Sequence, residues 1–312
     1  MTDPSAADLS DNSPPPRKGR LRLVLSVVVP VAVVGLFVYV IVGNSDEISR
    51  AAKRTSLGQI VLVTALAFVT LVARSEAVVS CLNAMGGRPE RRDIHAANSL
   101  TFLAATINHY ASSVVRGALL QRIDRERSPT ISQMVMVDTS TTLIEALVVG
   151  VLIVASASAL KLEWWAPTLI LLGCVVGVAV ALITRRRFAH RDMFRGLDVL
   201  VHSRQRVVVA ALMVIVVVIQ VTRTLIVLRA VGLQPTLLQA VATFVAGGLL
   251  SSLFAGPGAG SAGGPLIVFG HSSLAASAAA GIELSITLLL AGAVYALVGG
   301  PMFLWRLRHA YA

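Results

Sequence analysis

Residues 57–85, LGQIVLVTALAFVTLVARSEAVVSCLNAM, and residues 207–231, VVVAALMVIVVVIQVTRTLIVLRAV, are apolar stretches that open two similar halves of this chain. Each is long enough to span a membrane and contains a deep arginine, Arg74 in the first and Arg223 in the second. In each half, Gly and Pro follow, and a weakly polar segment then leads to a break in apolar character. The breaks are residues 108–113, NHYASS, and 256–264, GPGAGSAGG. Paired breaks point to a transport site at a repeat interface.

Composition places the chain in a lipid bilayer. Of its 312 residues, 55% are hydrophobic and 14% charged, and the mean hydropathy is +0.78. A water-soluble domain does not need so much apolar surface. No stretch remains for a soluble catalytic domain, so we predict no enzymatic activity and no cofactor. Cys81 and Cys174 lie in apolar stretches without metal-ligand spacing, which predicts neither a disulfide nor a metal site.

The net charge of +11 is explained by membrane topology. The arginines lie in short loops between apolar stretches, where they orient a membrane protein and contact anionic lipid headgroups. Membrane lipids are therefore the predicted partners, and nucleic acid is not.

Six stretches have the length and apolarity of full membrane crossings. They are residues 21–43, 57–85, 131–159, 164–184, 207–231 and 281–304. Residues 94–127 are too polar for a lipid-facing span, and residues 237–280 are broken at a proline. We interpret both as re-entrant helical pairs whose irregular backbone lines an interior cavity, with two full spans left open for 237–280. The polytopic domain covers residues 21–305, between cytoplasmic tails at residues 1–20 and 306–312.

The positive-inside rule favours this topology. If each re-entrant pair leaves the membrane on the same face by which it enters, nearly all basic loops lie in the cytoplasm, together with both termini. Arg50, Lys53 and Arg54 are the exceptions. The first break then enters from the cytoplasm and the second from outside. Residues 57–160 and 207–304 would thus form an inverted repeat in an all-α integral protein of the cell membrane.

Charged side chains inside the apolar stretches are candidate site residues. Asp138 and Glu145 are seven residues apart and share one helix face. Arg74 and Glu76 are two residues apart and point in nearly opposite directions. We therefore expect their partners to come from other helices.

The repeat also relates charges in the two halves. Arg223 corresponds to Arg74 in order, and Glu283 corresponds to Asp138 within a few residues. These four positions would surround one pseudo-symmetric centre, and purely structural ion pairs are the alternative. The predicted substrate-binding residues are Arg74, Glu76, Asn108, Arg116, Asp138, Glu145, Arg223, Pro257, Gly258, Gly260 and Glu283.

Two motifs carry a family resemblance, the run Arg116-Gly117-Ala118-Leu119-Leu120-Gln121-Arg122 after the first break and Pro257-Gly258-Ala259-Gly260 in the second. The chain resembles, over roughly residues 20–305, the flippase-like transmembrane family of lysylphosphatidylglycerol synthases, the membrane half of the multiple peptide resistance factor. It departs from that family before Arg116, after the second break and at Asp138-Thr139. The resemblance therefore transfers the fold more safely than the substrate.

The resemblance implies a lipid translocase that moves a headgroup across the membrane while the acyl chains stay in the bilayer. Its substrate would be an anionic or aminoacylated phospholipid or a polyprenyl-linked lipid. Arg74, Arg116 and Arg223 would contact phosphate, which a guanidinium binds bidentately. Protein partners would be a second copy or a separate lipid-synthesising enzyme.

Two other functions stay open. A membrane glycosyltransferase would use Asp46 and Glu47 in the first outer loop. A membrane scaffold without transport would use the buried charges only for structure. The sequence has no Gly-rich nucleotide-binding loop, so transport would be driven by a gradient or a partner, or would have no driving force.

Overall fold

The computed structural model describes residues 53–86, 89–107, 109–124, 128–157, 163, 165–188, 190–253, 257–270 and 273–310. Every regular element in these residues is helical, which confirms the all-α prediction for them. The helices are α1 (Leu57–Ala84), α2 (Arg91–Ile107), α3 (His109–Ile123), α4 (Ile131–Ser156), α5 (Trp165–Arg187), α6 (Asp198–Val201), α7 (Ser203–Ala230), α8 (Leu237–Leu253), α9 (Pro257–Phe269) and α10 (Leu274–Ala310). A 3-10 turn, Asp192–Leu197, precedes α6.

Helices α1, α4, α5, α7 and α10 are long and apolar enough to cross a membrane. They correspond to five of the six stretches that the sequence predicts as crossings. The predicted crossing at 21–43, the tail at 1–20 and the Asp46-Glu47 pair lie outside the described residues. Helix α10 starts at Leu274 rather than residue 281 and continues through Pro301 to Ala310, so part of the predicted second tail is helical.

Local sequence signals set several helix ends. Ser56 and Gln59 form a reciprocal capping box at the start of α1, and Thr130 and Gln133 form another at the start of α4. After α1 and α7 the chain turns at Gly86 and Gly232, whose φ angles are 74° and 91°. Glycine adopts this left-handed backbone without a Cβ clash, which ends both helices at corresponding points of the two halves.

Helices α1 and α7 lie side by side and run in opposite directions. Leu82, near the end of α1, belongs to the same core cluster as Met213 in the first half of α7. Val63, near the start of α1, clusters instead with Leu228 at the end of α7. The first long helices of the two halves are therefore antiparallel.

The first short helix of each half packs on the last long helix of the other half. Helix α2 lies along α10, where Arg306 Nε and Nη2 donate to the carboxylate of Asp93 at 2.6 and 3.0 Å. Helix α8 lies beside α4, with Val241 and Ile153 in one core cluster. Each half thus contacts the other through one short helix.

Most of the described arginines gather at one end of the bundle, which we call the basic end. Gln133 Nε2, at the start of α4, donates a hydrogen bond to the carbonyl oxygen of Asp192 at 3.2 Å. Arg185, at the end of α5, forms an ion pair with Asp198. The arginines at this end are Arg91, Arg92, Arg122, Arg185, Arg186, Arg187, Arg191, Arg195, Arg204, Arg206, Arg306 and Arg308. Lys53, Arg54 and Arg229 lie at the opposite end, where α1 begins and α7 ends.

The second break differs from the prediction, because the chain is helical from Pro257 onward. Proline suits the first position of a helix, where its missing N–H is not needed. Helices α8 and α9 form an antiparallel hairpin in which Gly247 packs against Gly260, and Gly264 packs against the carbonyl of Thr243. The glycines therefore permit close helix packing, and the expected irregular backbone is wrong for residues 257–264.

Candidate functional site

Arg74 on α1 and Glu145 on α4 form a two-pronged ion pair between helices. Arg74 Nη1 donates to Glu145 Oε2 at 2.8 Å, and Nη2 donates to Oε1. A planar guanidinium and a carboxylate match in this parallel arrangement, which fixes the rotation of both side chains. The expectation that Arg74 pairs across helices, and not with Glu76, is confirmed.

The position of Arg74 on its helix identifies a gap inside the bundle. Arg74 shares a helix face with Val63, Ala67, Thr70 and Cys81, all of which are buried. Its own side chain is nevertheless 42% exposed. Because this face packs against other helices, we infer that the exposed part of Arg74 faces a gap between helices, which we call the Arg74 opening.

A second ion pair lies on the same face of α4, about two turns from Glu145. Arg116 Nη1 on α3 donates to Asp138 Oδ1 at 2.5 Å, and the Ser113 hydroxyl donates to Asp138 Oδ2. Arg116 Nε is buried and has no hydrogen-bond partner. Thr142, one helical turn from both Asp138 and Glu145, is exposed, so a polar strip of α4 connects the two carboxylates.

Glu76 lies on the other side of α1 and is held by α2. Its Oε1 accepts from Arg91 Nε at 2.7 Å and lies 2.6 Å from His95 Nε2. His95 Nδ1 lies 2.8 Å from the Tyr295 hydroxyl, which is also 2.8 Å from Ser75 Oγ. This chain of hydrogen bonds joins α1, α2 and α10.

The sequence-based list of site residues missed His95, Tyr295 and Ser113. His95 was visible only as a polar residue in an unusually polar segment, and Tyr295 lies in an apolar helix with no local signal. Their roles depend on partners 19 to 220 positions away in the sequence. Spacing within one helix cannot reveal contacts of this kind.

Arg223 and Glu283 form a separate polar group between α7 and α10. Arg223 is only 2% exposed and donates to Gln220 Oε1 at 2.9 Å, to the Leu284 carbonyl and to Thr287 Oγ1 at 3.3 Å. Glu283 Oε2 accepts from Thr55 Oγ1 at 2.9 Å. Among the described residues no ion pair joins Glu283 to a cation, although Arg223 is near enough to attract it electrostatically.

The two groups do not form the single centre that the sequence predicts. Arg223 contacts α10 at Thr287, whereas the hydrogen-bond chain that contains Glu76 and His95 contacts α10 at Tyr295. Eight residues of helix separate these positions by about 12 Å. Of the other predicted residues, Gly260 lies in the α8–α9 contact, Pro257 and Gly258 form the start of α9, and Asn108 lies outside the described residues.

The two ion pairs on α4, Arg74 with Glu145 and Arg116 with Asp138, can bind a charged polar molecule. An arginine has five N–H donors, of which Arg74 uses two on Glu145, so donors remain for oxygen atoms of a ligand. The two ion pairs contain two cations, Arg74 and Arg116, and two anions, Glu145 and Asp138. No group of three or more His, Cys, Asp or Glu side chains within the described part of the chain has the arrangement of a metal site.

No protein-family profile, curated protein or solved structure matches this chain. The resemblance to the flippase-like family therefore stays a prediction from sequence motifs. The function has to be argued from the residues themselves.

Proposed function

We propose that this chain is a lipid translocase in which a polar headgroup passes through the Arg74 opening while the acyl chains stay in the bilayer. The observation that carries the proposal is Arg74 itself. A charged side chain in a membrane-length helix is costly and usually serves a purpose, and this one lies on a buried helix face yet remains partly exposed.

The chemistry of the opening suits a phosphate-containing headgroup. Arg74 and Arg116 keep unused N–H donors, and a guanidinium binds phosphate oxygens through paired hydrogen bonds. Glu145 and Asp138 would accept an ammonium group of an aminoacylated or zwitterionic lipid. A headgroup with both charges would exchange ion pairs with the protein and leave no buried charge unpaired.

The repeat supplies the route in this proposal. Helices α2 and α3 form one re-entrant pair and α8 and α9 the other, entering from opposite faces of the cytoplasmic membrane as parts of an inverted repeat. The antiparallel α1 and α7 and the exchanged contacts of α2 and α8 support this arrangement. With the basic end in the cytoplasm, the positive-inside rule is followed.

A membrane scaffold is the competing function, and one observation favours it. Arg74 and Arg116 are already bonded to carboxylates, as structural ion pairs would be. Measurement of lipid movement separates the two functions, because a scaffold leaves the movement of lipid unchanged.

The test uses the full chain reconstituted into vesicles that contain phosphatidylethanolamine with a fluorescent headgroup label. A membrane-impermeant reductant bleaches label that reaches the outer leaflet, so the bleaching rate reports translocation. We expect Arg74→Gln to slow this rate by about ten-fold to 100-fold, because a charge-assisted hydrogen bond contributes about 1.5–3 kcal/mol. Arg187→Gln, at an exposed arginine at the end of α5, is the matched control and should retain the wild-type rate.

Folding is checked by helical circular dichroism and size-exclusion chromatography of each variant. The double variant Arg74→Gln/Glu145→Gln removes both charges of the pair and so avoids leaving Glu145 unpaired. Equal bleaching in wild-type and protein-free vesicles would refute the translocase and support the scaffold. Equal rates in wild type, Arg74→Gln and the double variant would remove Arg74 from the route.

A further inference from the structure

The two halves treat their membrane carboxylates differently. In the first half, Glu145 and Asp138 are each bonded to an arginine. In the second half, Glu283 on α10 accepts a hydrogen bond from the Thr55 hydroxyl, and its buried Oε1 has no partner among the residues that the structure describes. A buried carboxylate without a cation at bonding distance is strongly disfavoured in its charged form.

Two further buried polar atoms, on α7 and on α1, have no hydrogen-bond partner among the described residues. Arg223 Nε is buried and has no partner, although the rest of the guanidinium is bonded to Leu284, Thr287 and Gln220. Thr64 Oγ1, on α1, is buried without a partner as well. Its neighbour Val63 belongs to the same core cluster as Leu284, which follows Glu283 in α10.

We propose that Glu283 is a proton-binding site that couples lipid movement to a transmembrane proton gradient, with Arg223 as the charge that responds to it. The coupling rests on the proposed translocase, whereas the proton site itself does not. The ligand is a proton, because a single carboxylate beside an arginine is a poor site for a metal cation.

The cations Lys53, Arg54 and Arg229 lie at the same end of the bundle as Glu283, and Lys53 and Arg54 directly precede Thr55. From α7 the group that faces it is Arg223, and from the segment before α1 it is the Thr55 hydroxyl. Helix α9, which packs against α10, has no charged or titratable residue in its sequence. The protonation of Glu283 therefore depends on Arg223, on the cations at this end of the bundle and on access to water.

A short path to water exists at the end of the bundle opposite the basic end. Thr55, which donates to Glu283 Oε2, is followed by the exposed residue Ser56. Glu283 is thus one hydrogen bond from the bundle surface. In the topology proposed above this end faces outward, so Glu283 takes its proton from the outer aqueous phase.

The proton changes the contacts between α7 and α10. With a proton on Glu283 the acid is neutral, and the Arg223 guanidinium stays hydrogen-bonded to Leu284 and Thr287. After the proton leaves, the carboxylate attracts the guanidinium, and Arg223 Nε gains an anionic acceptor. The helix interface then has two charge-dependent arrangements, which is what coupling requires.

Infrared spectroscopy of the purified full chain tests the proton site without any lipid movement. A protonated carboxylic acid gives its own carbonyl band, which we expect in wild type and expect to lose with rising pH. Glu283→Gln should remove the band, and Glu145→Gln, at a carboxylate bonded to arginine, should retain it. A wild type without the band at any pH, or a band unchanged in Glu283→Gln, overturns the proposal.

Thr55→Val provides a second variant in case Glu283→Gln does not fold. The Thr55 hydroxyl stabilises the carboxylate form, so its loss should move the pH at which the band disappears upward. An unchanged pH dependence would contradict the assigned contact and the proposal with it.

Vesicles with and without an imposed proton gradient test the coupling. We expect the gradient to accelerate wild-type lipid movement at least about ten-fold, which corresponds to about 1.4 kcal/mol, and to have no effect on Glu283→Gln. Lipid movement that ignores the gradient in wild type overturns the coupling and leaves the translocase standing. A Glu283 band in a chain that moves no lipid refutes the translocase and supports the proton site alone.

Discussion

The adjacent glycines Gly247 and Gly248 on α8 provide a test of the α8–α9 hairpin. A Cβ atom added at Gly247 would lie 2.8 Å from the carbonyl oxygen of Gly260, whereas a Cβ at Gly248 would meet nothing within 4 Å. Ordinary contacts begin at 3.4 Å, so Gly247→Ala has to move the two helices apart by about 0.6 Å. Gly248→Ala needs no movement.

The two substitutions make the same contributions to the free energy of unfolding except for this contact. Replacing glycine with alanine in a helix interior gains about 0.5–1 kcal/mol from backbone entropy at either position. Overpacking at Gly247 costs about 1–3 kcal/mol. Since the entropy gain cancels in the comparison, Gly247→Ala should be less stable than Gly248→Ala by about 1–3 kcal/mol.

Thermal unfolding of both variants in the same detergent measures this difference. At about 2–4 °C per kcal/mol, the Tm of Gly247→Ala should be lower than that of Gly248→Ala by roughly 2–12 °C. Gly248→Ala should equal or exceed the wild type. Equal Tm values for the two variants, or a lower value for Gly248→Ala, would refute the hairpin contact and the assignment of these glycines to helix packing.

Two further predictions concern contacts of α10. Arg306→Met leaves Asp93 buried without its two hydrogen bonds, and we expect a loss of about 2–4 kcal/mol in the free energy of unfolding. Arg308→Met, at an exposed arginine near the same end of α10, should change the free energy of unfolding by less than about 0.5 kcal/mol. Tyr295→Phe removes the hydroxyl shared by His95 and Ser75 and should cost about 1–3 kcal/mol, measured by unfolding in increasing denaturant, and no loss would show that these groups do not depend on that hydroxyl.

The long helices were predictable because each depends on a local property of the chain. An apolar run of membrane length forms a helix whatever surrounds it, since lipid offers no other partner for its backbone. The turns at Gly86 and Gly232 were visible for a similar reason, because each marks the end of such a run. The prediction failed at residues 257–264, where a glycine-rich composition typical of irregular backbone forms a helix packed against α8.

The candidate site was predictable only in part. Membrane charges identified Arg74, Asp138 and Glu145 as important, because a charge in an apolar helix needs a partner. Helix periodicity excluded an Arg74–Glu76 pair and implied partners on other helices, both of which the structure confirms. The identity of each partner depended on how helices far apart in sequence meet.

Sequence alone determined that this chain is a helical membrane protein with two similarly ordered halves and charged residues within its spans. Composition and periodicity suffice for this, because each residue expresses them locally. Only the tertiary structure decided that Arg74 bonds to Glu145, that Tyr295 joins α10 to α1 and α2, and that no cation among the described residues is bonded to Glu283. These features arise from the register between packed helices, which is set by side-chain packing along their whole length.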